Sequence, residues 1–296
     1  MAKCRRIGWM ASGRRPDYHE LKNILGMPMR QLYILTLLTL CLTAPSARAG
    51  ELPLWEVGLG VGSLSLPDYR GSDEQRAYLF PLPYIKYRGK FLQIDREGAR
   101  GKLFSSDRLR LELSVSAGPP ARSDDNMARS GMPDIDPTVE VGPLLEITMS
   151  RDSFHDQSWS IRLPWRIAVA TDLAHYDEIG WVFAPSLHYE MRQRGWDLRA
   201  SAGPLYASEK YHDYFYEVTP DFATPTRPAY DATSGYSGSR LTITANRRFR
   251  SFWVGAFARY DQLSGAAFDD SPLVKKNSSF MAGVGIAWVL AEAKRP

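Results

Sequence analysis

The sequence predicts an all-β protein: an antiparallel transmembrane β-barrel of about twelve strands, with ten full strands plus a short hairpin as the other count and both termini on the periplasmic side. Three observations predict it. Apolar and polar residues alternate with the period of an extended strand in segment after segment. The connections alternate between tight turns and long polar loops, as in bacterial barrels. The first residues read as an export signal. Residues 159–171 show the alternation best: Trp159, Ile161, Leu163, Trp165, Ile167 and Val169 share one side, and Ser160, Arg162, Pro164, Arg166, Ala168 and Ala170 the other. A soluble sandwich would turn the apolar side into a core, whereas an outer-membrane barrel turns it into lipid and the arginines into the lumen.

The export signal comes first in the chain. Met29 and Arg30 precede the apolar run 32–42, and Ala47-Arg48-Ala49 precedes Gly50, the charged start, apolar centre and small-residue end of a secretory signal peptide cleaved after Ala49. The run is too short to span a bilayer as a helix. Residues 1–28 are polar and basic, and Met27 or Met29 is a more ordinary start. Residues 1–49 are thus expected to be a presequence and 50–296 a single barrel domain. The presequence carries +6 of charge, so the formal +4 of the whole chain becomes −2 after cleavage. The basic balance therefore gives no argument for nucleic acid. Cys4 and Cys41 leave with it, so the mature chain is expected to use neither disulfides nor thiolate chemistry.

The mature chain opens on Trp55, Val57, Leu59 and Val61, which share one face, with Glu56, Gly58, Gly60 and Gly62 on the other. Further strands are expected at 78–88, 91–95, 99–104, 108–118, 138–150, 158–170, 180–192, 195–208, 239–249, 251–263 and 279–290. The pair 91–95 and 99–104 is shorter than the ~9–11 residues a tilted spanning strand needs. Pro81, Pro83, Pro143, Pro164, Pro185 and Pro204 lack a ladder donor and are expected at bulges or strand ends rather than at mid-bilayer. Residues 119–137 are rich in Asp, Gly and Pro and read as a loop. The longest loop, 209–238, carries Tyr211, Tyr214, Phe215 and Tyr216, read by default as an interfacial aromatic girdle, with an adhesive surface as the alternative.

No metal or cofactor motif is present in the sequence. The histidines lack ligand spacing, and Gly58-x-Gly60-x-Gly62 precedes no helix that could hold a phosphate. Ser186, His188 and Glu190 share a face and could suggest a serine hydrolase. Their face is the lumen face, away from lipid, so with Arg162 and Arg166 they are expected to be polar lumen wall. Charges of both signs face inward; paired they would brace the lumen, and hydrated they would line a small channel.

Three blocks resemble one family in chain order. PDYRGSD…PLPYIKYRGKFLQID (67–95), GMPDIDPTVEVGP (131–143) and EKYHDYFYEV (209–218) are similar to segments of the MipA/OmpV family of outer-membrane proteins. The matching positions are Pro67, Tyr69, Gly71, Ser72, Asp73, Pro83, Tyr87, Asp134, Asp136, Glu140 and Gly142. The resemblance implies an outer-membrane barrel without catalytic activity, set in outer-membrane lipid. It also implies a scaffold that holds a lytic transglycosylase together with a bifunctional peptidoglycan synthase. Other family members are described as porin-like or adhesive, so a small-solute channel is the alternative and a lipid hydrolase a distant one. The chain departs from barrels that end on an aromatic residue, since Trp288-Val289-Leu290 is followed by residues 291–296.

Overall fold

The structure, a computed structural model, describes residues 53–95, 98–172 and 174–293. The presequence and cleavage site expected over 1–49 lie outside the described residues. The strands are β1 (Trp55–Pro67), β2 (Gln75–Arg88), β3 (Leu92–Asp95), β4 (Gly98–Ser105), β5 (Leu109–Gly118), β6 (Thr138–Asp152) and β7 (Gln157–Thr171). After them come β8 (Tyr176–Phe183), β9 (Ser186–Gln193), β10 (Trp196–Ala207), β11 (Gly235–Arg248), β12 (Phe252–Gln262) and β13 (Ser278–Ala293). One helix, α1 (Glu209–Tyr216), sits between β10 and β11.

Each strand pairs antiparallel with its neighbour, and β13 returns to β1 from Trp55↔Ala293 to Ser65↔Ala282. β8 and β9 both pair with β7 and with β10. They are therefore one stave interrupted at Ala184 and Pro185, and the sheet is a closed barrel of twelve staves. The ladders satisfy most backbone groups that hydrocarbon could not, the exception being the edge of β2 turned away from β1. Both strand ends, Trp55 and Ala293, lie at the end that carries the short turns, the periplasmic end of such barrels.

The parity follows the sequence reading. Leu59, Ile167 and Val284 are 55%, 54% and 61% exposed on the lipid face, while Glu56, Ser160 and Ala168 on the alternate positions are buried in the lumen. Part of the lumen lining of the β1, β2, β12 and β13 wall is apolar: Tyr84, Trp253 and Ala287 cluster there with Leu82, and Phe80 lies over Gly62.

The prolines divide into two groups. Pro185 lies in the β8–β9 interruption and Pro164 faces it, its carbonyl accepting from the Ala184 amide at 3.2 Å. Pro204 lies at a register shift of the β10–β11 ladder, and Pro143 where the β6–β7 pairing lapses between Val141 and Leu144. Those four meet the expectation of bulges and breaks. Pro81 and Pro83 do not, because both sit in the middle of β2 with no register shift against β1. The Arg88 amide donates to the Leu54 carbonyl on the β1 side, so amides of even-numbered β2 residues face β1 and odd-numbered ones face away. On that far side β3 pairs only as Tyr87↔Ile94 and Arg88↔Gln93. The two prolines thus omit donors along an edge that no described strand uses.

The loops at the outer end fold into a cap. Tyr69, Ala121, Ala128, Ile135, Tyr216, Val218, Ala232, Leu263, Ala266, Phe268 and Leu273 form its buried core, drawn from four separate loops. The aromatics at 211–216 were expected to be a girdle; they lie on α1 instead, with Tyr216 buried and stacked on Phe268 at a centroid distance of 3.7 Å. Ser208 caps α1, its Oγ accepting from the Tyr211 amide at 3.3 Å, and Glu209 sits favourably in the first turn. Gly180 makes that cap possible: at φ +106° it leaves room for Ser208 Oγ, which lies 2.0 Å from where a Cβ would stand.

Candidate functional site

The inward-facing charges of the wall are arranged in tiers. At the periplasmic end Glu56, 1% exposed, accepts from Arg88 at 2.5 Å, Arg248 at 2.8 Å and the Tyr84 hydroxyl at 3.0 Å, and Arg248 also reaches Glu292 at 3.3 Å. Above it, Arg162 bridges Glu146 at 2.8 Å and Glu190 at 3.0 Å. Arg110 meets Glu146 at 3.3 Å, and Arg199 meets Asp197 at 3.1 Å. Glu112, fully buried, lies 3.8 Å from Arg110 and 4.0 Å from Arg100. These charges brace the lumen across strands, and desolvated pairs of this kind are costly to break singly.

The uppermost tier lies under the cap. Arg240 holds Asp261 at 2.6 Å, Arg70 approaches the same carboxylate at 3.9 Å, and Arg166 lies 3.6 Å from Glu140, which also accepts from Tyr211 Oη at 3.4 Å. Arg166 Nε donates to Ser114 Oγ at 3.0 Å. Ser186 Oγ and His188 Nε2 share a hydrogen bond of 3.0 Å. Among the described residues no carboxylate binds the other ring nitrogen of His188, so the third member of a triad is missing. The lumen-wall expectations for Arg162, Arg166, Ser186, His188 and Glu190 therefore correspond to three distinct contacts, two ionic and one neutral.

The positions of the family resemblance mostly meet in the cap. Pro67 ends β1, buried beneath it. Tyr69 donates to the Leu273 carbonyl at 2.7 Å and stands edge-on to Tyr216. Gly71, at φ +92°, donates its amide to Ser279 Oγ at 2.7 Å while its carbonyl accepts from the Lys275 amide at 2.8 Å and the Lys276 amide at 3.0 Å. Ser72 Oγ accepts from Asn126 at 3.0 Å, and Asp73 beside it is exposed. Asp134 accepts from the Ser123 amide at 2.7 Å, and the Asp136 amide donates to Tyr214 Oη at 2.8 Å. Glu140 and Gly142 descend from there into the lumen wall, where the Gly142 carbonyl accepts from Ser114 Oγ at 3.1 Å. Pro83 and Tyr87 stay apart, on β2.

Several residues of the cap were missed from sequence. Arg129, 4% exposed, donates to Ser123 Oγ, the Phe215 carbonyl and the Pro133 carbonyl at 3.1, 3.0 and 3.1 Å, tying loop 119–137 to α1. Arg227 donates to the Ala128 and Ser130 carbonyls, each at 3.0 Å. His212 is fully buried, edge-on to Phe268, with Nδ1 2.6 Å from the Thr233 carbonyl. Burial lowers its pKa, opposed by the Thr233 hydrogen bond and assisted by Arg70. Burial likewise pushes the Tyr216 hydroxyl up to about 12. The signal that could have found this core was the apolar set Leu263, Ala266, Phe268 and Leu273 inside a segment otherwise composed of turn residues.

Residues 59–290 match the model of the family described as MltA-interacting protein MipA. The chain belongs to that family. A MipA-family relative, "Putative outer membrane protein YiaT" of Escherichia coli (strain K12), is 26% identical over 253 residues, covering 82% of this chain and 92% of YiaT. The closed barrel and this relative place the protein in the outer membrane. Among solved structures, a bacterial polysaccharide outer membrane secretin aligns with TM-score 0.41 at 9% identity, covering 80% of this chain and 99% of its own. The NanC porin aligns with TM-score 0.36 at 7% identity, covering 79% and 100%. At such scores the barrel class is read from this chain's own strand closure. The MipA name itself points to MltA as the partner of the protein for which the family is named.

Proposed function

We propose that this MipA-family barrel is a non-catalytic outer-membrane platform whose periplasmic rim receives a lytic transglycosylase together with a peptidoglycan synthase. The observation that carries the reading is a lumen braced within: the outer loops gather into a packed core, and carboxylate–arginine pairs cross the interior below it. A lumen so braced favours a binding role over free solute passage. The periplasmic turns are short, and a specific interface takes ~800 Å² from each partner, so a partner must span several turns at once. Phe91 and Phe154, 79% and 91% exposed in two of these turns, offer aromatic anchors on that rim.

The test joins planar-bilayer conductance of the purified protein to a pull-down with periplasmic murein enzymes. Capture that survives moderate salt, from a barrel without discrete conductance steps, is the expected result. Conducting steps without enzyme capture would replace the platform with a channel. The Ser186–His188 hydrogen bond favours a second reading, hydrolysis of an acyl ester, because a serine needs such a base. Against it stands the lumen position of the pair. Fatty-acid release from lipid by the parent, abolished in Ser186→Ala, is the result that would establish it.

A further inference from the structure

The tiers of lumen charge differ in one respect. In the middle tier Glu112, Glu146, Glu190 and Asp197 face Arg100, Arg110, Arg162 and Arg199, four carboxylates to four guanidinium groups. In the upper tier Arg70, Arg166, Arg240 and Arg259 gather about only Asp261 and Glu140. The register puts Arg240 opposite Asp261 and Thr242 opposite Arg259, so Arg240 and Arg259 are neighbours on the lumen face of adjacent strands. Arg240 donates to Asp261 Oδ1 at 2.6 Å, and Arg70 spends its terminal nitrogens on the Ser237 hydroxyl and carbonyl. Arg259 Nε and Arg70 Nε are buried without a hydrogen-bond partner among the described residues. Desolvated guanidinium groups beside like charges are unfavourable unless an anion accompanies them.

Room for one lies alongside. Where Pro185 interrupts the β8–β9 stave, a cavity of about 60 Å³ is lined by Arg240, Ser186 and Ser201 among otherwise small and apolar residues. At roughly 10–15 Å³ of such volume per water, it holds several waters or one small anion. Arg240 lines this cavity and stands beside Arg259 on the adjacent strand, so an anion seated against Arg240 meets serine hydroxyls and lies next to the arginine-rich tier. The planar forks of arginine suit the oxygens of a tetrahedral or carboxylate group.

We infer that the upper lumen, between Arg240, Arg259 and Arg70 and beneath the cap, is a binding site for a small free oxyanion such as phosphate, sulfate or a simple carboxylate. Ser186, Ser201 and Arg240 all stand on the lumen parity of their strands, which favours a solute over a lipid headgroup as the occupant.

The experiment uses the full mature barrel refolded in an uncharged detergent, with inorganic phosphate as the probe and chloride at equal ionic strength as the reference. Saturable one-to-one phosphate binding by titration calorimetry is expected, together with a raised unfolding temperature. Arg259→Gln, at a residue without a close ion pair among the described residues, should bind phosphate at least roughly tenfold more weakly, the loss of one charge-assisted hydrogen bond. Without phosphate it should unfold no earlier than the parent. The absence of saturable binding to the parent overturns the inference, as does equal binding by Arg259→Gln. A variant that fails to fold shows that Arg259 already has a partner, and overturns it as well. Refolding into phosphatidylglycerol bilayers without added phosphate separates the sources: the same stabilisation there overturns the free-solute occupant.

Discussion

The wall and the cap of this barrel are built by different rules. In the wall, one residue decides its neighbour's environment: β7 places Ile167 in lipid and Arg166 in the lumen, and the opposite solvents on the two faces do the sorting. In the cap, partners are distant in sequence. Tyr69 bonds Leu273, Arg129 bonds Phe215 and Tyr216 bonds Arg70, pairs 204, 86 and 146 residues apart. The wall holds its shape through local ladders, while the cap holds through a small core and a few arginine-to-carbonyl ties. The cap should therefore come apart while the wall stands.

The largest effect is expected from Phe268→Ala, which empties a fully buried site beneath Tyr216. Loss of such an aromatic costs about 3–5 kcal/mol. Proteolysis of outer membranes should then cut within 209–234, while heat-modifiable gel migration persists. If migration changes together with cleavage, cap and wall are one cooperative unit and the contrast fails. Next comes the wall's own test. Ile167→Arg places a charge on the lipid face at ~2–4 kcal/mol near the midplane, and lumen changes cost less. Refolding yield into bilayers should fall further for Ile167→Arg than for Arg166→Ala; equal losses would mean that the lumen bracing carries as much of the wall as its lipid face.

A smaller effect concerns acid. His212 is held below its ordinary pKa by burial, so the folded cap prefers the neutral ring and the unfolded loop takes up the proton first. The stability this confers is complete above the unfolded pKa of about 6.5 and is lost as pH falls through that value toward the folded one. Hydrogen exchange of 209–234 should quicken below that pH, and His212→Gln should flatten the dependence. A pH response unchanged in the variant would assign it to other groups. The smallest effect is set for Tyr214→Phe, which removes the acceptor of the Asp136 amide at a cost near 1 kcal/mol. Exchange of that amide alone should rise; a rise across the whole cap would show that the single bond closes the two family-like blocks onto each other.

The two regions were unequally legible. Strand parity, the twelve staves and the short hairpin at β3 and β4 followed from a period of two, because each side of the wall faces one solvent. The charge pairing could not be read, since Glu146 and Arg162 become neighbours only through the register of β6 with β7. The cap was read as loops because its apolar residues are scattered among turn formers. Tyr211, Tyr214, Phe215 and Tyr216 look like membrane-interface aromatics until α1 turns them inward, although Ser208 and Glu209 already form a helix-start signal.

Pro81 and Pro83 also decide how the cylinder meets another copy of itself. A strand edge with an unbroken row of amides templates the addition of a foreign strand, the first step of aggregation. β2 turns such an edge outward where β3 is short, yet two of its outward positions have no amide to offer. The barrel can thus keep an unfinished side without inviting polymerisation. Under lateral tension in the membrane, load across that side falls on Tyr87↔Ile94 and Arg88↔Gln93, and the cylinder should tear there first, long before the β1–β13 closure yields.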